Sequence, residues 1–181
     1  MSLHLIPDAF SAAECTRITT ATDAAEASDA RLVGGDRVHN IRRADLVWID
    51  DLPELAWVAD RLIDVVRDAN RHFHFDLDAL RESPQVARYT ARREGHFDWH
   101  SDIGDGPIAA RRKLTLVVQL SPASAYDGGT LELRPSLEPL VAPLVQGTAV
   151  VFPAFVLHRV APVTRGTRHS LTIWAHGPAF R

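Results

Sequence analysis

Apolar residues recur along this chain with two different periods, and the change of period divides it near residue 82. In the first part the spacing is helical. Ser11 with Glu14 three residues on is a capping-box pattern, in which each side chain satisfies a backbone N–H of a new helix. A helix is expected from about Ser11 to Ala27. Val38 to Ile49 is richer in β-branched and apolar residues and predicts a strand. Asp51 with Pro53 opens a second helix, with Leu55, Val58, Leu62, Val65, Val66 and Ala69 on its buried face.

From Ser83 onward the period shortens. Runs of β-branched or aromatic character predict strands near Gln85–Thr90, Phe97–Ser101, Lys113–Leu120, Thr130–Arg134, Thr148–Phe152, Val156–Val160 and Arg168–Ala175. Gly104-Asp105-Gly106-Pro107, Asp127-Gly128-Gly129, Gln146-Gly147 and Thr164-Arg165-Gly166 punctuate them. Short, evenly spaced strands after helices predict a mainly β fold, a sandwich or barrel with N-terminal helices. With 181 residues the length favours one domain over 1–181, helical in 1–82 and β in 83–181.

Composition narrows the setting. Apolar residues make up 46% and charged residues 24%, enough for a sizeable core and without a disordered bias. A formal charge of −3 gives no polyanion footprint, and Arg42-Arg43, Arg92-Arg93 and Arg111-Arg112-Lys113 are balanced by acids, so nucleic acid is not an expected partner. Cys15 is the single cysteine, which excludes an internal disulfide and a Cys-based zinc site; it reads as a small core residue. Met1 to Phe10 lacks a secretory pattern. The most apolar stretch, Leu137 to Val163, is broken by Pro139, Pro143, Gln146, Gly147, Pro153 and His158, and reads as buried strands rather than a membrane span. A cytoplasmic protein is the expectation.

Candidate chemistry lies in the tripeptide His-any-Asp. Alternate residues of a strand share a face, so such a pair can grip one ion, and a second His completes a 2-His-1-carboxylate face with open positions. The tripeptide occurs at His74–Asp76, His96–Asp98 and His100–Asp102. Phe73, Phe75 and Leu77 alternate around the first, leaving its polar set facing solvent. His96 and Asp98 share the parity of His100 and Asp102; on an unbroken strand they are alternative ligands or line the cavity mouth.

The context of the third pair is similar to a known family. Gly95-His96-Phe97-Asp98-Trp99-His100-Ser101-Asp102 resembles the Gly-x-aromatic-x-x-His-x-Asp signature of prolyl-hydroxylase-like Fe(II)/2-oxoglutarate-dependent dioxygenases. Leu157 to Ser170 resembles the second half of that site, a distal His followed ten residues later by a basic residue, here His158 and Arg168. Asp127-Gly128-Gly129-Thr130-Leu131 matches the Gly-Gly turn between the halves. The resemblance covers about Gln85 to Trp174.

It implies a double-stranded β-helix, or jelly roll, holding Fe(II) through His100, Asp102 and His158. It further implies 2-oxoglutarate and O₂ as cosubstrates, with oxidative decarboxylation to succinate and CO₂ coupled to hydroxylation. Arg168 is the implied partner of the far carboxylate of 2-oxoglutarate, since a guanidinium matches a carboxylate and stays charged when buried. Ser170, two residues on, adds a hydroxyl, and Tyr89 resembles the family's Tyr on the preceding strand. An exposed strand arginine and a locally satisfied tyrosine are the alternatives. Trp174 continues the parity of Arg168 and borders the cavity or packs in the core; Asp98 is a candidate for a cationic substrate group. The turn Thr90–Glu94 is longer than the family's, which bears on Tyr89. The implied substrate is small or peptidyl, a prolyl or other amino-acid residue or an amino-acid-like molecule. A nucleobase demethylase of the same superfamily and a non-catalytic metal-binding β-barrel are the competing readings.

Overall fold

The computed structural model describes residues 3–29 and 41–180. A short strand β1 (His4–Ile6) leads into helix α1 (Ala12–Ala24), whose capping box forms as expected: Glu14 N–H donates to Ser11 Oγ at 3.2 Å and Ser11 N–H to Glu14 Oε2 at 2.8 Å. The helix stops three residues short of the expected Ala27, because Ala25 is already extended. Of the expected strand from Val38, the residues Val38–Asn40 lie outside the described ones. The remainder follows β2 (Ser28–Asp29) as two pieces, β3 (Arg42–Arg43) and β4 (Asp45–Trp48).

Helix α2 (Trp57–Phe73) begins later than Asp51. Leu52 precedes a proline and is held extended, so Ile49–Asp51 and Pro53–Leu55 form two separate single 3₁₀ turns ahead of it. The helix ends at His74, in the left-handed region at φ 56°.

The β region follows as β5 (Gln85–Thr90), β6 (His96–His100), β7 (Arg112–Gln119), β8 (Tyr126–Gly128), β9 (Leu131–Arg134), β10 (Leu140–Val141), β11 (Ala149–Pro153), β12 (Leu157–Val160) and β13 (Val163–His176). All seven expected strands are present. The last is longer than expected because its first residues turn aside to pair with β8. Leu137 and Val141 correct the reading of Leu137–Val163 as wholly buried: both are exposed, and only β11 is buried at every residue.

Two antiparallel sheets face each other. The larger runs β1-β11-β7-β13-β5-β4-β2 and the smaller β10-β9-β12-β6-β3. Strand parity gives the larger sheet two different faces. Leu114, Leu116 and Val118 of β7, with Leu171 and Ile173 of β13, pack under the helices against Ile18, Leu62 and Val66. Val117, Val150 and Phe152 face the smaller sheet and pack on Leu131, Leu133 and Val160. This is the jelly-roll architecture expected from the sequence. The inward set of β7 and β13 also carries polar residues, Thr115, Gln119, Arg168 and Ser170, all buried. Burial of so many polar groups on one face marks where the chemistry lies.

Candidate active site

His100 and His158 are direct register partners on β6 and β12, so their imidazoles emerge side by side into the space between the sheets. Asp102 lies just beyond the end of β6. Its backbone is pinned: its N–H donates to Ala154 O at 2.9 Å, and Arg112 Nη1 donates to its carbonyl at 2.9 Å. The result is one cluster in which the three candidate ligand atoms lie within 4.8 Å of one another. His100 Nε2 is 3.5 Å from Asp102 Oδ1, and His158 Nε2 is 3.4 Å from Asp102 Oδ2.

The surroundings fit this set to a cation. Each histidine uses its Nδ1–H to reach a carbonyl, His100 to Asp98 O at 2.7 Å and His158 to Val156 O at 2.9 Å. A carbonyl can only accept, so the tautomer is fixed and both Nε2 lone pairs face the cluster. Thr115 Oγ1 donates to Asp102 Oδ2 at 2.6 Å. Burial alone would raise the Asp102 carboxyl; the neighbouring His158, His100 and the Thr115 hydroxyl outweigh it and hold the group well below the usual carboxylate range. Burial pushes the His158 imidazole down from its ordinary value, against the pull of Asp102. Ionised carboxylate and neutral imidazole are the states a divalent metal needs. Phe97 stacks on His100 with ring centroids 3.5 Å apart, and Phe152 meets His158 edge-on at 4.7 Å, fixing both rings.

Deeper in the same space Arg168 is fully buried. Its Nη2 donates to Gln119 Oε1 at 2.8 Å and its Nη1 to Ser170 Oγ at 3.2 Å, while its Nε has no partner. Among the described residues no carboxylate pairs with it. A buried, uncompensated cation is costly, so the arrangement is built for an anion. Tyr89, opposite Arg168 in register, places its ring 5.5 Å from the guanidinium carbon and lines the cavity. The long turn Thr90–Glu94 does not displace it. Ala91–Arg93 coil into a 3₁₀ turn, and Gly95 N–H returns to Thr90 O at 2.9 Å. Gly95 is required at that return, because a Cβ there would lie 2.8 Å from Tyr89 Cα. Gly129, at φ +60°, likewise leaves room for the Arg168 side chain: a Cβ would sit 3.0 Å from its Cδ.

The other His-any-Asp pairs are elsewhere. His74 and Asp76 are exposed beyond α2. His96 and Asp98 line a separate surface depression, and Asp98 accepts from Trp99 N–H at 2.9 Å. Parity failed there because the pairing of β6 with β12 slips between His158 and Val160, so that Phe97 and His100, not His96 and Asp98, face inward. The candidacy of Asp98 for a substrate group is therefore withdrawn. His169 faces outward to Asp23 and Ser121, and His176 bonds Glu82. Trp174 lines the cavity. Sequence reasoning missed Thr115 and Gln119. Their only signal is position, two odd-numbered polar residues in a strand otherwise apolar enough to be core.

A jelly roll with two histidines and a carboxylate converging between its sheets, and a buried guanidinium behind them, defines the class of mononuclear metal oxygenases. The model of the 2OG-Fe(II) oxygenase superfamily matches residues 84–176. A PKHD-type hydroxylase of Pseudomonas putida is 29% identical over 187 positions, spanning 96% of this chain and 77% of the relative. Among solved structures, a Pseudomonas putida prolyl-4-hydroxylase superposes with TM-score 0.76 at 24% identity, covering 98% of this chain and 94% of that one. A Trichoplax adhaerens prolyl hydroxylase, solved in complex with a hypoxia inducible factor peptide fragment, gives 0.78 at 17% identity over 97% and 83%. The chain belongs to the 2OG-Fe(II) oxygenase superfamily, and its fold is that of the prolyl-hydroxylase-like branch. It is an enzyme that works with Fe(II), 2-oxoglutarate and O₂.

Proposed function

We propose that this enzyme hydroxylates a prolyl or other amino-acid residue, or a small amino-acid-like molecule, with His100, Asp102 and His158 holding the iron. Arg168, Ser170 and Tyr89 take the far carboxylate of 2-oxoglutarate. The observation that carries the reading is the conjunction of a two-His, one-Asp face in the cavity with a fully buried guanidinium, Arg168, that donates to the cavity-lining Ser170 and that no described carboxylate neutralises. The names of the relatives support the substrate class.

Fe(II), when bound, supplies the oxidising chemistry that couples decarboxylation of 2-oxoglutarate to oxidation of a substrate C–H. The protein's side chains do the rest. The two carbonyl-tied imidazoles and Asp102, held by Thr115 and Arg112, keep the ligand atoms in place without rearrangement. Arg168, positioned by Gln119, presents N–H donors to the cosubstrate while Ser170 adds a hydroxyl and Tyr89 a phenol. The apolar walls, Val117, Leu131 and Val160, keep bulk water away. The reading includes action as one domain over 1–181, since the helices pack on the outer face of the sheet that carries the site. It also includes a cytoplasmic location. No helix among the described residues is long and apolar enough to cross a membrane, and the single cysteine is buried and free.

Anaerobic addition of Fe(II) and 2-oxoglutarate should produce a visible charge-transfer absorption band, and His100→Ala should abolish it. A wild-type protein with no band and no succinate formation on admitting O₂ ends the proposal.

A further inference from the structure

The cavity is lined by a guanidinium that the cosubstrate chemistry leaves unused. Arg42, on β3, is the register partner of Phe97 and lies over its ring at 4.6 Å. That same ring is stacked on His100. Arg42 therefore lines the cavity within one aromatic ring's reach of a candidate iron ligand. Its Nε is buried and has no hydrogen-bond partner, and none of the described acids pairs with it. The adjacent Arg43 is different: it turns outward and pairs with Glu94 at 2.8 Å.

Charge balance sharpens the point. Fe(II), the Asp102 carboxylate, dianionic 2-oxoglutarate and Arg168 sum to zero charge. Asp102 is the one acid lining the cavity among the described residues. Arg42 leaves this loaded site with one positive charge to spare, in a place where the neighbouring apolar walls strengthen its field. Gln85 Oε1 and Trp174 Nε1 line the same cavity, buried and equally unpartnered, so the space is prepared for a polar ligand beyond the cosubstrate.

We propose that Arg42 receives a carboxylate of the primary substrate, so that the enzyme selects amino-acid-like or peptidyl substrates bearing a free or side-chain carboxylate. The inference rests on the oxygenase reading of the site. A guanidinium can meet a carboxylate through two parallel N–H donors, and the dry Nε–H of Arg42 is one of them.

The test is anaerobic calorimetric titration of the full chain loaded with Fe(II) and 2-oxoglutarate, the absorption band being recorded in parallel. The probes are matched pairs: acetyl-Gly-Pro-Gly with a free or an amidated C-terminus, and amidated acetyl-Asp-Pro-Gly against acetyl-Asn-Pro-Gly. The two pairs separate a terminal from a side-chain carboxylate. The carboxylate member of at least one pair should bind roughly tenfold or more tighter than its amide. Arg42→Gln should erase that gap, and Arg42→Lys should keep part of it. The comparison within wild type needs no variant, so a poorly folded Arg42→Gln does not rescue the proposal. Equal binding within both pairs, no binding of any probe while the band is present, or a gap that survives in folded Arg42→Gln overturns the role of Arg42. Absence of the band overturns the oxygenase reading instead.

Discussion

Thr115→Val removes one hydroxyl from the candidate metal site and little else. Thr115 is fully buried on β7, and its Oγ1 donates to Asp102 Oδ2 at 2.6 Å. Valine fills the same volume, so the strand keeps its packing while the carboxylate loses its nearest neutral donor. A hydrogen bond to a charged group contributes about 1.5–3 kcal/mol. The Asp102 backbone stays pinned by Ala154 and Arg112, so the carboxylate is freed to rotate rather than displaced. Losing such an outer partner of a ligand lowers metal affinity roughly 10–100-fold. The assay is anaerobic titration with Fe(II) at saturating 2-oxoglutarate, followed by the visible band. The half-saturating Fe(II) concentration should rise by that factor while the full band amplitude is recovered at high Fe(II). Half-saturation within twofold of wild type would refute the reasoning that Thr115 fixes the carboxylate.

Arg168→Lys keeps a positive charge but loses the fork that spans Gln119 and Ser170. The KM for 2-oxoglutarate should rise about tenfold or more with a smaller change in kcat, read from initial rates of succinate release; an unchanged KM contradicts the assignment. His158 is depressed by burial, so below the ordinary imidazole pKa the unfolded chain takes up a proton that the folded chain refuses. Metal-free stability is therefore intact above that pKa and falls as pH drops through it, and urea unfolding at pH 7.5 and 5.5 should show a larger loss for wild type than for His158→Gln. Burial, aided by the negative charge of Glu14, pushes the Cys15 thiol up to about 11. It should resist a thiol reagent at pH 8 until the protein is unfolded; fast labelling of the native protein would contradict its place on the buried face of α1.

The candidate ligand cluster was legible because a strand writes its pattern at fixed intervals. His100 and Asp102 two apart, and His158 ten before Arg168, survive as sequence patterns even though Asp102 lies just past the strand end. Parity misled where a strand slipped: His96 and Asp98 shared the count of His100 but not its face, and no single sequence announces a bulge. Thr115, Gln119 and Arg42 were not singled out for a different reason. Thr115 and Gln119 bond to Asp102 and Arg168, Arg42 lies over the ring of Phe97, and a lone Thr, Gln or Arg carries no motif. The strands β1, β8 and β10 span only two or three residues, too short for a period to register. The start of α2 was displaced by Pro53, whose effect on Leu52 was available in the sequence.

The alternation along β13 assigns neighbouring residues to separate duties. Leu171 and Ile173 answer to the helices, while Ser170, Thr172 and Trp174 answer to the cavity. Descendants of this chain can therefore drift in how firmly they hold together without disturbing what they oxidise, and can acquire new substrates without losing their scaffold. A single strand lets durability and chemistry be edited in alternate letters.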